Sequence, residues 1–254
     1  SGSISISGSK NATLPILAST LLSEKVTLKN VPFVKDVFTM IELLNFIGLS
    51  IQINKKNKLL KVKNLKKKLN TVAPYKLVKT MRAGILVLGP LLAKYKKAKV
   101  SLPGGCAIGT RPVDLHLFAL KKLGAKIKIK NGYIYASAKN GLKGSTIRFP
   151  SISVGATENA IIAAAQAEGK TTLLNCAKEP EIKDLILFLK SLGCSIKESE
   201  RKIVIYGNFH PKQIIHEVMF DRIEAGTYLI ASALIGKKIS ISGLKTTLIK
   251  TEIK

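Results

Sequence analysis

Tryptophan is absent from this chain, aromatic residues make up only 6% of it, and arginine occurs five times in 254 residues. With so few rings the core has to be aliphatic, and Ile, Leu, Val and Ala dominate an apolar fraction of 46%. The three cysteines, Cys106, Cys176 and Cys194, are an odd and widely separated set, which argues against a disulfide framework and for a reducing, cytoplasmic compartment. No apolar run reaches the ~18 residues that span a bilayer. The longest, Gly84 to Ala93, suits a buried helix, and no membrane insertion is expected. The histidines, His116, His210 and His216, have no zinc-ligand spacing with a cysteine. Neither a G-x-S-x-G elbow nor a G-x-G-x-x-G loop is present.

Acidic residues are also scarce: 15 against 42 basic ones, for a formal charge of +27. Thirty-seven of the basic residues are lysines, and they accompany abundant Ile and Asn, as A+T-rich coding produces. The leading reading is therefore drifted surface lysine. A lysine-rich nucleic-acid-binding domain and a general pull on anionic substrates are the other readings of the same charge. An arginine that persists in such a chain is a candidate for bidentate anion recognition.

What the chain does contain is a repeat of about 70 residues. Leu43–Ile51, Leu120–Ile127 and Leu189–Ile196 each read as the end of an amphipathic helix, a stopping Gly, and the start of a strand. In the same rhythm, helices that are apolar nearly all round run into short strands. They are Ala12–Leu22, Ala83–Ala93, Ala156–Ala167 and Glu224–Leu234, and such helices are expected to be buried. The predicted fold class is α/β, built from repeated units that each hold one buried helix, one surface helix and about four strands. The fourth unit runs only to Lys254. The expectation is a fragment: residues 1–220 as a domain of three units, and residues 221–254 as the start of a second, similar domain.

The candidate chemistry lies at loops leading into helices. Pro103–Pro112 places a lone Cys106 among three glycines, followed by Arg111 and a helix-initiating Pro112. A helix N-terminus and a guanidinium favour an anion and lower a thiol pKa. A Gly-rich connector with an incidental Cys is the plainer reading. Cys176 and Cys194, at strand ends, read as small buried hydrophobes. Four strand-to-helix junctions are polar: Gly8–Ala12, Thr80–Ala83, Ser153–Thr157 and Asp221–Thr227. Their equivalence in the repeat predicts one shared ligand-binding pole, although each taken alone is also a helix cap.

These segments, in this order, resemble the enolpyruvyl transferase family, above all its members that act on UDP-N-acetylglucosamine. Gly8-Ser9-Lys10-Asn11-Ala12, Lys79–Ala83, Pro103–His116, Ser153–Thr157 and Asp221–Thr227 carry the resemblance, and the P-G-G-C-x-I-G-x-R-P stretch is its most specific part. The sister transferase that acts on shikimate 3-phosphate shares the fold but not the Gly-Gly-Cys loop. The resemblance implies an inside-out α/β barrel of βαβαββ units. It also implies transfer of the enolpyruvyl group of phosphoenolpyruvate to the 3′-hydroxyl of UDP-N-acetylglucosamine, with release of phosphate, as a step toward peptidoglycan.

By resemblance, Cys106 is the catalytic proton donor, and Lys10 and Arg111 hold phosphate and carboxylate. Asn11 and Arg82 lie near the sugar nucleotide, Pro112, Val113, Asp114 and Leu115 form the uridine-side helix start, and Ser153 and Val154 meet the diphosphate. The implied partners are small-molecule substrates, with no metal or organic cofactor and no specific nucleic acid. The chain departs from the family pattern at Ser151, where many relatives carry Lys. The fragment alone is expected to be inactive, and a non-catalytic remnant is the alternative from another class.

Overall fold

The three predicted helix stops are glycines in backbone conformations that other residues avoid. Gly48 follows α2 (Lys35–Ile47) at φ 124°, Gly124 follows α5 (Asp114–Lys122) at φ 95°, and Gly193 follows α7 (Pro180–Leu192) at φ 112°. Each turn delivers the chain into a strand and so starts the outer half of a unit. The computed structural model describes residues 2–64, 69–104, 113–235 and 239–248.

Each unit contributes to a four-stranded sheet, and the three sheets are alike. In the first, β2 (Lys25–Lys29), β3 (Ser50–Asn54) and β4 (Leu59–Lys63) are joined by β13 (Ile214–Glu217) in the order β13-β2-β4-β3. In the second, β5 (Val72–Ala73), β6 (Lys97–Ser101), β7 (Lys126–Lys130) and β8 (Tyr133–Ser137) lie in the order β5-β6-β8-β7. In the third, β9 (Thr146–Arg148), β10 (Lys170–Leu174), β11 (Ser195–Ser199) and β12 (Lys202–Tyr206) lie in the order β9-β10-β12-β11. Every sheet pairs its first two strands in parallel and the rest antiparallel. Period-two alternation buries Val26 and Leu28, Ala98 and Val100, and Thr171 and Leu173 on the inner faces. The sheets remain three separate faces, so no continuous barrel wall closes among the described residues.

Inside lie the predicted buried helices. They are α1 (Lys10–Ser19), α4 (Leu88–Tyr95) and α6 (Val154–Ala164), and Ala12–Ser19, Leu88–Ala93 and Ala156–Ala164 are buried throughout. The second differs from the expected Ala83–Ala93 helix. Arg82–Val87 is a 3-10 segment, and the α-helix begins only at Leu88. In an α-helix begun earlier Pro90 would leave the Leu86 carbonyl without its helical donor, whereas here it stands in the first turn.

The fourth unit departs further. α8 (Arg222–Ile235) buries only Ala225 and Gly226, and Leu234 is 78% exposed. The expected buried helix is thus mostly a surface helix here, because only β14 (Ile239–Ser242) packs extensively on it among the described residues. β14 pairs in parallel with β1 (Gly2–Ser5). The strand that precedes α1 therefore serves the fourth unit, and the strand that precedes α8 serves the first. The two crossing segments touch at Gly8 and Phe220, where a Cβ on Gly8 would fall 1.7 Å from the Asn30 carbonyl oxygen.

Candidate active site

The N-termini of α1 and α6 and the 3-10 segment Arg82–Val87 converge on a cavity of about 460 Å³. It is lined by polar groups from all four junctions, among them Asn11, Arg82, Ser153 and Arg222. The expectation of one shared pole is met in this respect. Each junction is built locally. Ser9 caps α1, its Oγ accepting from Ala12 N at 3.2 Å, and Ser153 caps α6, its Oγ accepting from Ala156 N at 3.3 Å. Asp221 caps α8 by accepting from Ile223 N (2.9 Å) and Glu224 N (3.1 Å). In α6 the amides of Val154 and Gly155 stand in the first turn, where the helix provides them no acceptor. In α1, Pro15 has no N–H, so the Asn11 carbonyl loses its usual helical donor, and both residues line the cavity.

The first and fourth junctions bind each other. Glu224 Oε2 accepts from Ser7 N at 2.9 Å and from Ser7 Oγ, and Asp221 Oδ2 accepts from Lys10 N at 3.3 Å. The Lys10 ammonium points elsewhere, to Asp36 Oδ2 at 3.1 Å. Lys10 lines a neighbouring depression with Asp221 and Thr227 that shares Asn11 with the main cavity. Of the residues expected from the sequence, Asn11, Arg82, Ser153 and Val154 are thus brought together and Lys10 stands beside them. Val113, Asp114 and Leu115 start α5 without lining the cavity, and the next residue, His116, does line it. Cys106, Arg111 and Pro112 lie outside the described residues.

Of the polar lining residues, His116, Glu158, Glu179 and Glu181 were not among the expected site residues, while Arg222 belongs to the expected Asp221–Thr227 junction. His116 is 3% exposed, and burial, aided by the Arg82 charge, brings its pKa down to about 4, so the ring is neutral at pH 7. Its Nδ1 lies 3.2 Å from Asn159 Nδ2, which assigns Nδ1 as acceptor and leaves the proton on Nε2. Asn159 also accepts from Gly89 N (2.9 Å) and donates to the Ile85 carbonyl (3.2 Å), tying the three inner segments together under the cavity.

The carboxyls are arranged differently. Arg222 Nε donates to Glu181 Oε1 at 3.1 Å, while Glu179 Oε2 is buried with no hydrogen-bond partner among the described residues. Burial, then the charges of Glu181 and Glu179, pushes the Glu158 pKa well above the usual carboxylate range. The cavity therefore presents a guanidinium, free amides and a neutral imidazole beside a carboxyl group that favours its protonated form. That set can hold an anion at one end and hydrogen-bonding hydroxyl or amide groups at the other.

Two signals for the missed residues were present in the sequence. A Glu-Asn pair interrupts the otherwise apolar Ala156–Ala167, and Glu179 and Glu181 stand close together in an acid-poor chain.

Comparison with known proteins agrees with this architecture. The family model described as EPSP synthase (3-phosphoshikimate 1-carboxyvinyltransferase) matches residues 1–254. A UDP-N-acetylglucosamine 1-carboxyvinyltransferase of Pelagibacter ubique is 61% identical over 254 residues, covering 99% of this chain and 60% of that protein. The protein of the same name from Nitratiruptor is 51% identical over 248 residues, covering 96% of this chain and 58% of its own length. The chain thus spans about three-fifths of the length of these curated relatives. Among solved structures, the enolpyruvyl transferase NikO of Streptomyces tendae superposes with a TM-score of 0.81 at 19% identity, over 95% of this chain and 57% of that one. An EPSP synthase of Acinetobacter baumannii gives 0.77 at 17% identity, over 94% and 54%. With the repeat, the inward helices and the whole-length match in agreement, the chain belongs to the EPSP synthase (3-phosphoshikimate 1-carboxyvinyltransferase) family.

Proposed function

We propose that this chain forms the cysteine-loop part of an enzyme that transfers the enolpyruvyl group of phosphoenolpyruvate to the 3′-hydroxyl of UDP-N-acetylglucosamine. The observation that carries the reading is the cavity at the helix N-termini, where Asn11, Arg82, Ser153 and Val154 meet. The names of the relatives support the choice of acceptor. In the reaction the sugar hydroxyl oxygen bonds to C2 of phosphoenolpyruvate while a proton is added at C3. Loss of phosphate from C2 and of a proton from C3 restores the double bond. No metal is needed for this addition and elimination.

In this reading the α6 N-terminus receives the diphosphate on the Val154 and Gly155 amides. Arg82 neutralises charge near the sugar nucleotide, and Asn11 faces both depressions and orients the sugar. Cys106 delivers the proton to C3. Lys10 releases Asp36 to meet the phosphate with Arg111, and Pro112 to Leu115 shape the uridine side. The base for the sugar hydroxyl comes from the part of the relatives that this chain does not span. Residues 1–220 act as one domain and 221–254 open the next. A cytoplasmic place in peptidoglycan synthesis follows from the same reading.

Calorimetry with UDP-N-acetylglucosamine tests the binding half. Arg82→Gln is expected to weaken binding at least roughly tenfold, as loss of a charge-assisted contact does. An unchanged Kd overturns the placement. Maleimide at pH 8 tests the thiol: it should modify Cys106 and spare Cys176 and Cys194, whose thiols burial pushes up to about 12. Protection of Cys106 by the substrates is expected. Phosphate release by the 254-residue chain alone should be absent, and its appearance would show that the missing base is dispensable.

A further inference from the structure

The positive charge is not evenly spread. Between Glu42 and Glu158 lie 24 basic side chains and a single acid, Asp114, whereas the rest of the chain carries 18 basic and 14 acidic ones. Drift toward A+T-rich codons raises Lys, but Asp and Glu also have A-ending or T-ending codons, so drift does not clear acids from one stretch. The whole sheet β5-β6-β8-β7 lies in this stretch, and none of its strands carries an acid.

The strand register shows how its outer face is arranged. Three cross-strand rows run Lys97–Ser137–Lys126, Lys99–Tyr135–Lys128 and Ser101–Tyr133–Lys130. On the interior strand β8, Tyr135 is therefore flanked by lysines on both sides and Tyr133 by Lys130 on one. The rings stand roughly 7 Å apart along the strand, and the flanking strands lie about 5 Å to either side. Lys99 Nζ is 4.6 Å from the Tyr133 ring centroid and 5.2 Å from that of Tyr135, which is 40% exposed. Tyr75 extends the aromatic line, its N donating to Tyr133 Oη at 3.2 Å, with Lys79 Nζ 5.4 Å from its ring. Lys97, Lys99, Lys126, Lys128 and Tyr135 line a depression of about 420 Å³ on this face.

We propose that the outer face of β5-β6-β8-β7 binds single-stranded nucleic acid without sequence preference, through bases stacked on Tyr135 and Tyr133 and phosphates held by the flanking lysines. Every base has a π-face, so stacking on a sheet platform tolerates sequence, and a cationic groove tracks the backbone. The face has no outward aliphatic side chain in its three rows to enter a bilayer, which favours a nucleic acid over a lipid surface. The depression on this face shares no lining residue with the cavity, and the proposal is independent of the proposed transferase reading.

The third sheet provides an internal control. Its outer face carries Lys170, Lys197 and Lys202, but the register places them in separate rows with no pair flanking a tyrosine. Fluorescence anisotropy of the 254-residue chain with a labelled oligothymidylate of roughly 20 nucleotides, titrated from about 50 to 200 mM salt, reads the interaction. The triple variant Lys99→Gln, Lys126→Gln, Lys128→Gln should lower the salt slope by about 2, at about 0.7 per phosphate contact. Tyr135→Ala should weaken binding roughly tenfold and leave the slope unchanged. The triple variant Lys170→Gln, Lys197→Gln, Lys202→Gln should change neither. All these positions are on the surface, and circular dichroism checks that the variants fold. Absence of binding at low salt overturns the proposal. So does equal weakening by both triple variants, which would mean diffuse charge only. Binding to phosphatidylglycerol vesicles with the same lysine dependence, but not to the oligonucleotide, assigns the face to membranes instead.

Discussion

Within a single unit the two kinds of helix do different work, and the third unit shows it best. α7 is amphipathic: it turns Ile182, Leu185, Ile186, Phe188, Leu189 and Leu192 inward and leaves Leu187 and Lys190 to solvent. Its business ends at Gly193, which turns the chain into β11. α6 has no outside face. It is buried from Ala156 to Ala164, so the groups it exposes are those at its N-terminus, and these face the cavity. Surface helices close the core, whereas buried helices give up an amphipathic face and gain a shared polar end.

The most direct way to break this contrast is at the close approach of the inner helices. A Cβ on Gly89 would lie 2.3 Å from Asn159 Oδ1 and 2.8 Å from the Asn159 backbone oxygen. Gly89→Ala should cost about 4 kcal/mol, from overpacking and the lost Asn159 hydrogen bond, and should lower the denaturant midpoint accordingly. A loss below about 1 kcal/mol would mean that the helices part easily and the inner packing is soft.

The next effect is electrostatic. His116 titrates near 4 in the folded chain, against 6.5 unfolded. The unfolded chain takes up the proton first, so this group's contribution is full above pH 6.5 and is lost as pH falls toward 4, by about 3 kcal/mol in all. Glu158, whose pKa is raised, acts in the opposite sense: its folded form holds the proton longer, so stability falls as pH climbs above the ordinary carboxyl range. Chemical denaturation at several pH values, native against His116→Gln, isolates the first contribution as a difference that grows below pH 6.5. A pH-independent difference would remove His116 from the acid response.

The smallest effect belongs to the surface helix. Gly193 sits at φ 112° with space for a methyl group, so Gly193→Ala should cost about 1 kcal/mol, by backbone strain alone. If it cost as much as Gly89→Ala, the distinction between inner and outer helices would not hold in energy.

Much of the frame was legible because its signals are local. A Gly that must adopt positive φ marks a helix end wherever it recurs, and the buried helices at 12 and 156 follow from being apolar nearly all round. Ala83–Ala93 reads as one helix by its apolar composition, which does not distinguish the 3-10 segment before Leu88 from the α-helix after it. α8 was read as buried because its apolar residues signal burial without saying what covers them. At the site, Arg82, Asn11 and Ser153 were found through repeat position. Glu158, Glu179 and Glu181 were not, since a charged residue in a helix or turn normally reads as solvated, and only the three-dimensional convergence of helix ends puts them on one cavity. The partner exchange of β1 and β13 depends on pairings more than 180 residues apart, which no local pattern encodes.

That exchange also orders events on the ribosome. β1 leaves the exit tunnel long before its partner β14, which is not synthesised until residue 239. At bacterial elongation rates of roughly 5–20 residues per second, the strand waits some 10–50 s unpaired. The sheet of the first unit likewise has an open edge at β2 until residues 214–217 emerge. Until residues 214–217 and 239–242 emerge, then, the nascent chain presents two unsatisfied strand edges, which are natural docking points for a chaperone and for misfolding against a neighbouring copy.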